Sequence, residues 1–262
     1  MLGAIVGDVI GSYYEHYPTK RLDFDLFPDM STFTDDTVLT VAVADWLLSD
    51  RSNLPSIFHR YVDRYPDAGY GASFLSWAQC GKTDPYNSWA NGSAMRVSPV
   101  AYVATSIDEA LAIAKESAEV THDHPDGIHG AQAVAAAVYL AKSGAGKNEI
   151  QSFVETQFSY DCSRPLAEIR PDYLFDVSCT GSVPPAIRAF LESTDFESAI
   201  RNAISLGGDA DTMACIAGAI AEPFYGGVPT SIGVKATSYL SKHLAKVTAR
   251  FVSKFVSFKT AG

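Results

Sequence analysis

The acidic residues of this 262-residue chain gather in three places where side-chain chemistry could be done. Asp8 and Glu15 belong to an N-terminal stretch that opens Gly3-Ala4-Ile5-Val6-Gly7-Asp8. Asp35 and Asp36 follow Thr34, and far downstream Asp209 and Asp211 stand in Gly208-Asp209-Ala210-Asp211-Thr212. Each cluster abuts an apolar run with helical patterning. Carboxylates crowded at the mouth of a hydrophobic segment repel one another and resist burial, so they persist best around something cationic. A pair of divalent metal ions is the expected occupant, and a metal-dependent enzyme the expected class.

Thr34 falls where a helix N-cap would, with Asp35 and Asp36 in the first turn, where backbone N–H groups and the helix dipole favour negative charge. The same holds for Asp209 and Asp211. Good helix starts with no chemistry would explain either cluster alone; two clusters together with Glu15 exceed what capping requires. Adjacent helical residues point about 100° apart, so each aspartate of a pair can serve a different metal. Asp35, Asp36, Asp209 and Asp211, with the hydroxyls of Thr34 and Thr212, form an all-oxygen ligand set that suits Mg²⁺ or Mn²⁺ rather than zinc.

The elements that must position these residues are helices. In Asp35–Leu48, Val38, Ala42 and Trp46 form one stripe with Leu39, Val43 and Leu47 beside it, the i, i+4 pattern of a core-facing helix. Ser106 to Glu109 and Thr194 to Glu197 each fit a capping box and precede apolar-periodic runs ending near Val120 and Leu206. Gly130 to Lys142 is Ala-rich and stops at Gly144, Pro184 to Leu191 is short and periodic, and Ile232 to Phe258 reads as a long amphipathic tail with breaks. Two-residue alternation is scarce, and the fold class is all-α.

Residues 65–99 differ, being dense in Gly, Pro, Asn, Ser and aromatics; such a turn-rich stretch is expected to line a binding site. No linker or repeat divides the chain, and splitting it would separate the acidic clusters, so residues 1–262 are expected to form one domain. Apolar residues at 47% and charged residues at 19% fit an ordinary globular protein. A net charge of −10 argues against a nucleic-acid surface and leaves small molecules or proteins as partners. Cys80, Cys162, Cys179 and Cys215 lack metal-knuckle spacing and read as free thiols. With no basic leader and no run long enough for a bilayer, a cytoplasmic monomer is expected.

Five segments, in order, make the chain resemble a bacterial-type member of the ADP-ribosylglycohydrolase family, which includes the dinitrogenase reductase-activating glycohydrolases. They are Gly3 to Gly11 with Glu15, Phe33-Thr34-Asp35-Asp36-Thr37, Asn91-Gly92-Ser93-Ala94-Met95-Arg96, Thr121-His122, and Gly207 to Thr212. The resemblance runs from Met1 to about Pro229. It implies a compact orthogonal bundle of a dozen or more helices with a binuclear Mg²⁺ or Mn²⁺ centre, releasing ADP-ribose from modified side chains.

By that resemblance, Thr34, Asp35, Asp36, Asp209, Asp211 and Thr212 hold the metals, and Glu15 positions the attacking water or touches a metal. Ser88, Trp89, Asn91, Gly92 and Ser93 would cradle the diphosphate, with Trp89 or Tyr86 against adenine. His122 would contact the ligand, and Thr180 or Ser182 the distal ribose, unless those hydroxyls only cap the next helix. Hydrolysis at an anomeric carbon passes through an oxocarbenium-like state; Glu15 is the first candidate for the base and Asp36 the second. Arginine-linked ADP-ribose is the favoured substrate. Serine-linked, poly- or small-molecule adducts, or ADP-ribose binding without catalysis, are the alternatives.

Overall fold

A computed structural model describes residues 1–256. Its elements are α1 (Leu2–His16), α2 (Asp35–Leu48), α3 (Leu54–Arg64), α4 (Ala72–Gln79), α5 (Gly92–Met95), α6 (Val100–Val103), α7 (Ile107–Glu119) and α8 (Pro125–Ser143). There follow α9 (Lys147–Phe158), α10 (Leu166–Ile169), α11 (Cys179–Leu191), α12 (Phe196–Ile204), α13 (Ala210–Phe224), α14 (Thr230–Thr237) and α15 (Lys242–Phe255). The all-α expectation holds: among the described residues the sole β-type pairing is an isolated bridge between Ala90 and Ser178. None of the described helices is long and apolar enough to cross a membrane.

Helices α1, α2 and α13 are buried on nearly every face, as expected of helices apolar all round. α3, α12 and α15 bury one stripe each and cover the outside. The tightest junction is α1 against α13. A Cβ on Gly7 would stand 2.0 Å from the Ala214 carbonyl oxygen, and one on Gly11 would stand 2.4 Å from the Asp211 Cα. This close approach delivers Asp8 and Glu15 of α1 to Asp211 at the start of α13. Gly7→Ala is therefore expected to destabilise the fold by about 1–3 kcal/mol, the usual cost of overpacking, read as a lower denaturation midpoint.

Several boundaries differ from the sequence expectation. The cap before α12 is Asp195, one residue later than expected; its carboxylate accepts from Ser198 N and the Ser198 hydroxyl closes the box. At α7, Ser106 accepts from Glu109 N, but the Glu109 carboxylate turns to the N–H and hydroxyl of Thr105. α11 begins at Cys179, so Thr180 to Val183 are helical rather than loop, and the Ala-rich helix begins at Pro125. Residues 65–99 contain α4, whose Phe74, Trp77 and Ala78 join the core. The C-terminal run breaks into α14 and α15, and Phe258 lies outside the described residues.

Candidate metal centre

Three chain segments converge to build the site. Thr34 caps α2 by accepting from Asp36 N at 3.3 Å, which sets Asp35 and Asp36 on the first turn. Asp209 is the N-cap residue of α13, and Asp211 sits in that helix's first turn. The turn before it needs Gly207 and Gly208, whose φ values of +70° and +72° lie in the left-handed region that a side chain disfavours. α1 contributes Asp8 and Glu15.

The carboxylates form two groups that share one member. Ligand atoms of Asp8, Asp36 and Asp211 lie within 4.8 Å of one another, and so do those of Glu15, Asp209 and Asp211. Asp8, Asp36, Asp209 and Asp211 are buried, while the Glu15 side chain keeps 28% exposure at the edge. Burial, reinforced by neighbouring carboxylates, holds Asp35, Asp36 and Asp211 well above the ordinary carboxylate range. Glu15 is raised by burial and then by Asp209. Burial also raises Asp209, against the lowering effect of hydrogen-bonding neighbours that include the Asn91 amide.

The Asp36 Oδ1 atom is buried with no hydrogen-bond partner, while Oδ2 accepts from the Thr212 hydroxyl at 3.2 Å. An orphaned acceptor inside a nest of like charges is costly. A cation supplies what these oxygens lack, so the residues present fit divalent metal ions, and the all-oxygen donor set suits Mg²⁺ or Mn²⁺.

Asp8 has a part that its motif did not reveal. Its carboxylate accepts from Thr34 N at 3.0 Å, the Thr34 hydroxyl at 2.6 Å and Thr37 N at 3.1 Å. These bonds tie α1 to the start of α2 and orient Thr34. Its signal in sequence was an acidic residue inside an apolar helix, which is rare without a partner.

The remaining expected residues divide. Asn91 is buried, and its amide donates to Asp209 Oδ2 at 2.7 Å and to the Ser182 hydroxyl at 3.2 Å. It thereby faces the acidic cluster, while its backbone N–H is taken by Val177 O. Ser93 is fully buried and donates to Gly127 O at 2.6 Å. Ser182 is likewise buried and donates to Ser178 O at 2.6 Å. Thr180, by contrast, is exposed. The Ser88 hydroxyl accepts from Ala90 N. Trp89 is 50% exposed, Tyr86 is half-buried beside the His122 ring, and Gly92 packs against that ring.

Further around the mouth, Lys20 donates to Tyr173 O at 2.8 Å and to Leu206 O at 2.5 Å, and the Tyr173 hydroxyl donates to Gly181 O. These bonds clasp the segment before α11 to the glycine turn that carries Asp209.

Residues 1–253 match the ADP-ribosylglycohydrolase family. The chain belongs to that family. With membership comes the enzyme class, a glycosidase acting on ADP-ribose linkages. Among curated ADP-ribosylglycohydrolase relatives, the chain is 28% identical to ADP-ribosylhydrolase ARH3 of Homo sapiens, over 94% of this chain and 92% of that protein. It is 24% identical to ADP-ribosylarginine hydrolase Tri1 of Pseudomonas putida (strain GB-1), over 94% of this chain and 75% of that one. In three dimensions it is similar to a chain of an ADP-ribosylglycohydrolase-related protein complex, with a TM-score of 0.69, 23% identity and 96% of each chain covered. That likeness bears on the fold, which is the one the family resemblance led us to expect.

Proposed function

We propose that this enzyme removes ADP-ribose from a modified protein side chain, arginine foremost, with two divalent cations seated between the carboxylate groups that share Asp211. The observation that carries the reading is the pair of overlapping acidic triads, in one of which Asp36 Oδ1 is buried and left unpartnered. Thr34, Asp35, Asp36, Asp209, Asp211 and Thr212 would hold the cations. When bound, such ions orient sugar oxygens and polarise the bond to be broken.

Among the chain's own groups, Glu15 is placed best to take the proton of an attacking water. It is the most accessible carboxylate of the two triads, at the edge of the acidic cluster where a water can reach it. Asp36, the alternative base, is 2% exposed and already accepts from Thr212. That geometry favours a ligand role for Asp36. Trp89, half exposed on the segment bridged to Ser178, can offer a ring face to adenine, and Tyr86 flanks His122 on the same side.

The preference for arginine follows from charge. A protonated guanidinium leaving group, or a partly cationic transition state, gains from a mouth lined by Glu15 and a chain of net charge −10. The printed name of the Pseudomonas putida relative, an ADP-ribosylarginine hydrolase, is consistent with this.

Matched arginine-linked and serine-linked ADP-ribosyl peptides test the proposal, each assayed with Mg²⁺, with Mn²⁺ and with chelator. Chelator-sensitive release from the arginine-linked peptide is expected. Release from the serine-linked peptide alone would overturn the linkage, and release insensitive to chelator would overturn the role of the cations. ADP-ribose binding without release from either peptide would leave a binding protein or a different adduct.

A further inference from the structure

Arg96 is the one guanidinium of the described residues that is completely buried without a carboxylate beside it. It lies 4.5 Å over the Phe58 ring, and its Nε and Nη1 have no hydrogen-bond partner. Burying a cation this way is costly unless it does something for its neighbours. Its remaining nitrogen, Nη2, donates to Ser117 O at 3.0 Å and to the Thr121 hydroxyl oxygen at 2.9 Å. That hydroxyl is in turn 2.7 Å from His122 Nδ1.

Donor and acceptor accounting then fixes the protons. A guanidinium can only donate, so the Thr121 oxygen accepts from Arg96 and its own hydrogen must go elsewhere. Among the described residues, His122 Nδ1 is the acceptor within reach. A ring that accepts at Nδ1 carries its proton on Nε2. The Nε2 edge lies beside Gly92, where a Cβ would come within 3.1 Å of it, and Nε2 has no hydrogen bond within the described residues. The base of the side chain is confined by Gly127, where a Cβ would come within 2.9 Å of the His122 Cβ.

We propose that Arg96 and Thr121 are positioning residues that lock His122 in the Nε2-protonated tautomer and offer that N–H to the ligand at the Asn91-Gly92 turn. The ligand contact rests on the ADP-ribose reading above; the tautomer does not. Burial, and then the Arg96 charge, hold the His122 pKa well below its usual value, which is consistent with a ring that works as a fixed neutral donor rather than as a proton carrier.

The test is long-range ¹⁵N–¹H NMR of the histidine-labelled full chain at neutral pH, with ADP-ribose titrated into the same samples. The wild-type ring is expected to show a pyridine-like Nδ1 and a pyrrole-like Nε2. Thr121→Ser keeps the hydroxyl and should keep that pattern, with ADP-ribose affinity within about twofold. Thr121→Val should shift the ring toward the Nδ1–H tautomer and weaken ADP-ribose about three- to tenfold, the fold-change of one lost hydrogen bond. A wild-type ring protonated on Nδ1 overturns the proposal without any variant. So does an unchanged tautomer and affinity in folded Thr121→Val. Should wild type fail to bind ADP-ribose while its tautomer still responds to Thr121, the lock stands and the ADP-ribose reading falls.

Discussion

Asp211→Asn should lower ADP-ribose release by more than about a hundredfold, because even outer-shell partners of a metal site cost about 10–100-fold when removed and Asp211 belongs to both carboxylate triads. The same substitution should act on stability in the opposite sense. In chelated protein, Asp211 faces Asp36, Asp209, Glu15 and Asp8, all of which penalise its charge. An amide of the same shape removes that repulsion. The chelated variant should therefore melt at or above the chelated wild type, while the gain that Mn²⁺ gives wild type should be lost. Thermal unfolding with and without chelator, alongside the peptide assay, separates this from a purely structural role, which would lower stability in every condition.

The second large effect concerns pH. Asp8, Glu15, Asp35, Asp36, Asp209 and Asp211 all have folded-state pKa values raised by burial. Between their ordinary values and the raised ones, the folded chain binds more protons than the unfolded chain, so stability falls as pH rises. The contribution is fully present below the ordinary Asp value of 3.8 and is lost as pH rises through the raised folded values. Chelated protein is thus expected to lose melting temperature as pH rises above the ordinary Asp value of 3.8 toward neutrality. Divalent cations reverse this, because they bind the ionised carboxylates and compete with protons. At about 100 times its dissociation constant, a single bound ion adds about 2.7 kcal/mol, or about 5–10 °C for a chain of this size. The gain should be large at neutral pH and shrink toward pH 5. A gain equal at both pH values would mean that the cations bind elsewhere.

What could be read in the sequence divides along the range of the interactions involved. Thr34 as a cap and Asp35 and Asp36 in a first turn follow from local helix chemistry, and the structure places them there. The stop at Gly144 is local in the same sense, whereas the burial of α2 on nearly every face goes beyond the stripe its spacing shows. Asp8 is legible as an acidic residue in an apolar stretch, but its work is done across the gap to Thr34 and Thr37. Ser93 and Ser182 read as small hydroxyls in a motif, and their bonds to Gly127 O and Ser178 O appear only in the fold. α4 was hidden inside a turn-rich stretch because its apolar pattern is only eight residues long. Arg96 shows in sequence only as the end of a motif, because its significance depends on Thr121 and His122, which the turn after α7 brings to it.

Asn91 joins these threads, since it connects the segment before α5 to Asp209 and to α11 through two side-chain bonds. A residue expected at a diphosphate is also bonded to a carboxylate of the acidic cluster. The loop that would receive the ligand and the groups that would hold the cations are therefore mechanically linked.

The central claim is that the carboxylates meeting at Asp211 form a site for two cations, and calorimetric titration of the chelator-stripped full chain with Mn²⁺ at neutral pH addresses it directly. Two ions bound per chain, with at least one lost in Asp211→Asn, is the predicted result. No binding, or the same stoichiometry and affinity in the variant, would contradict it.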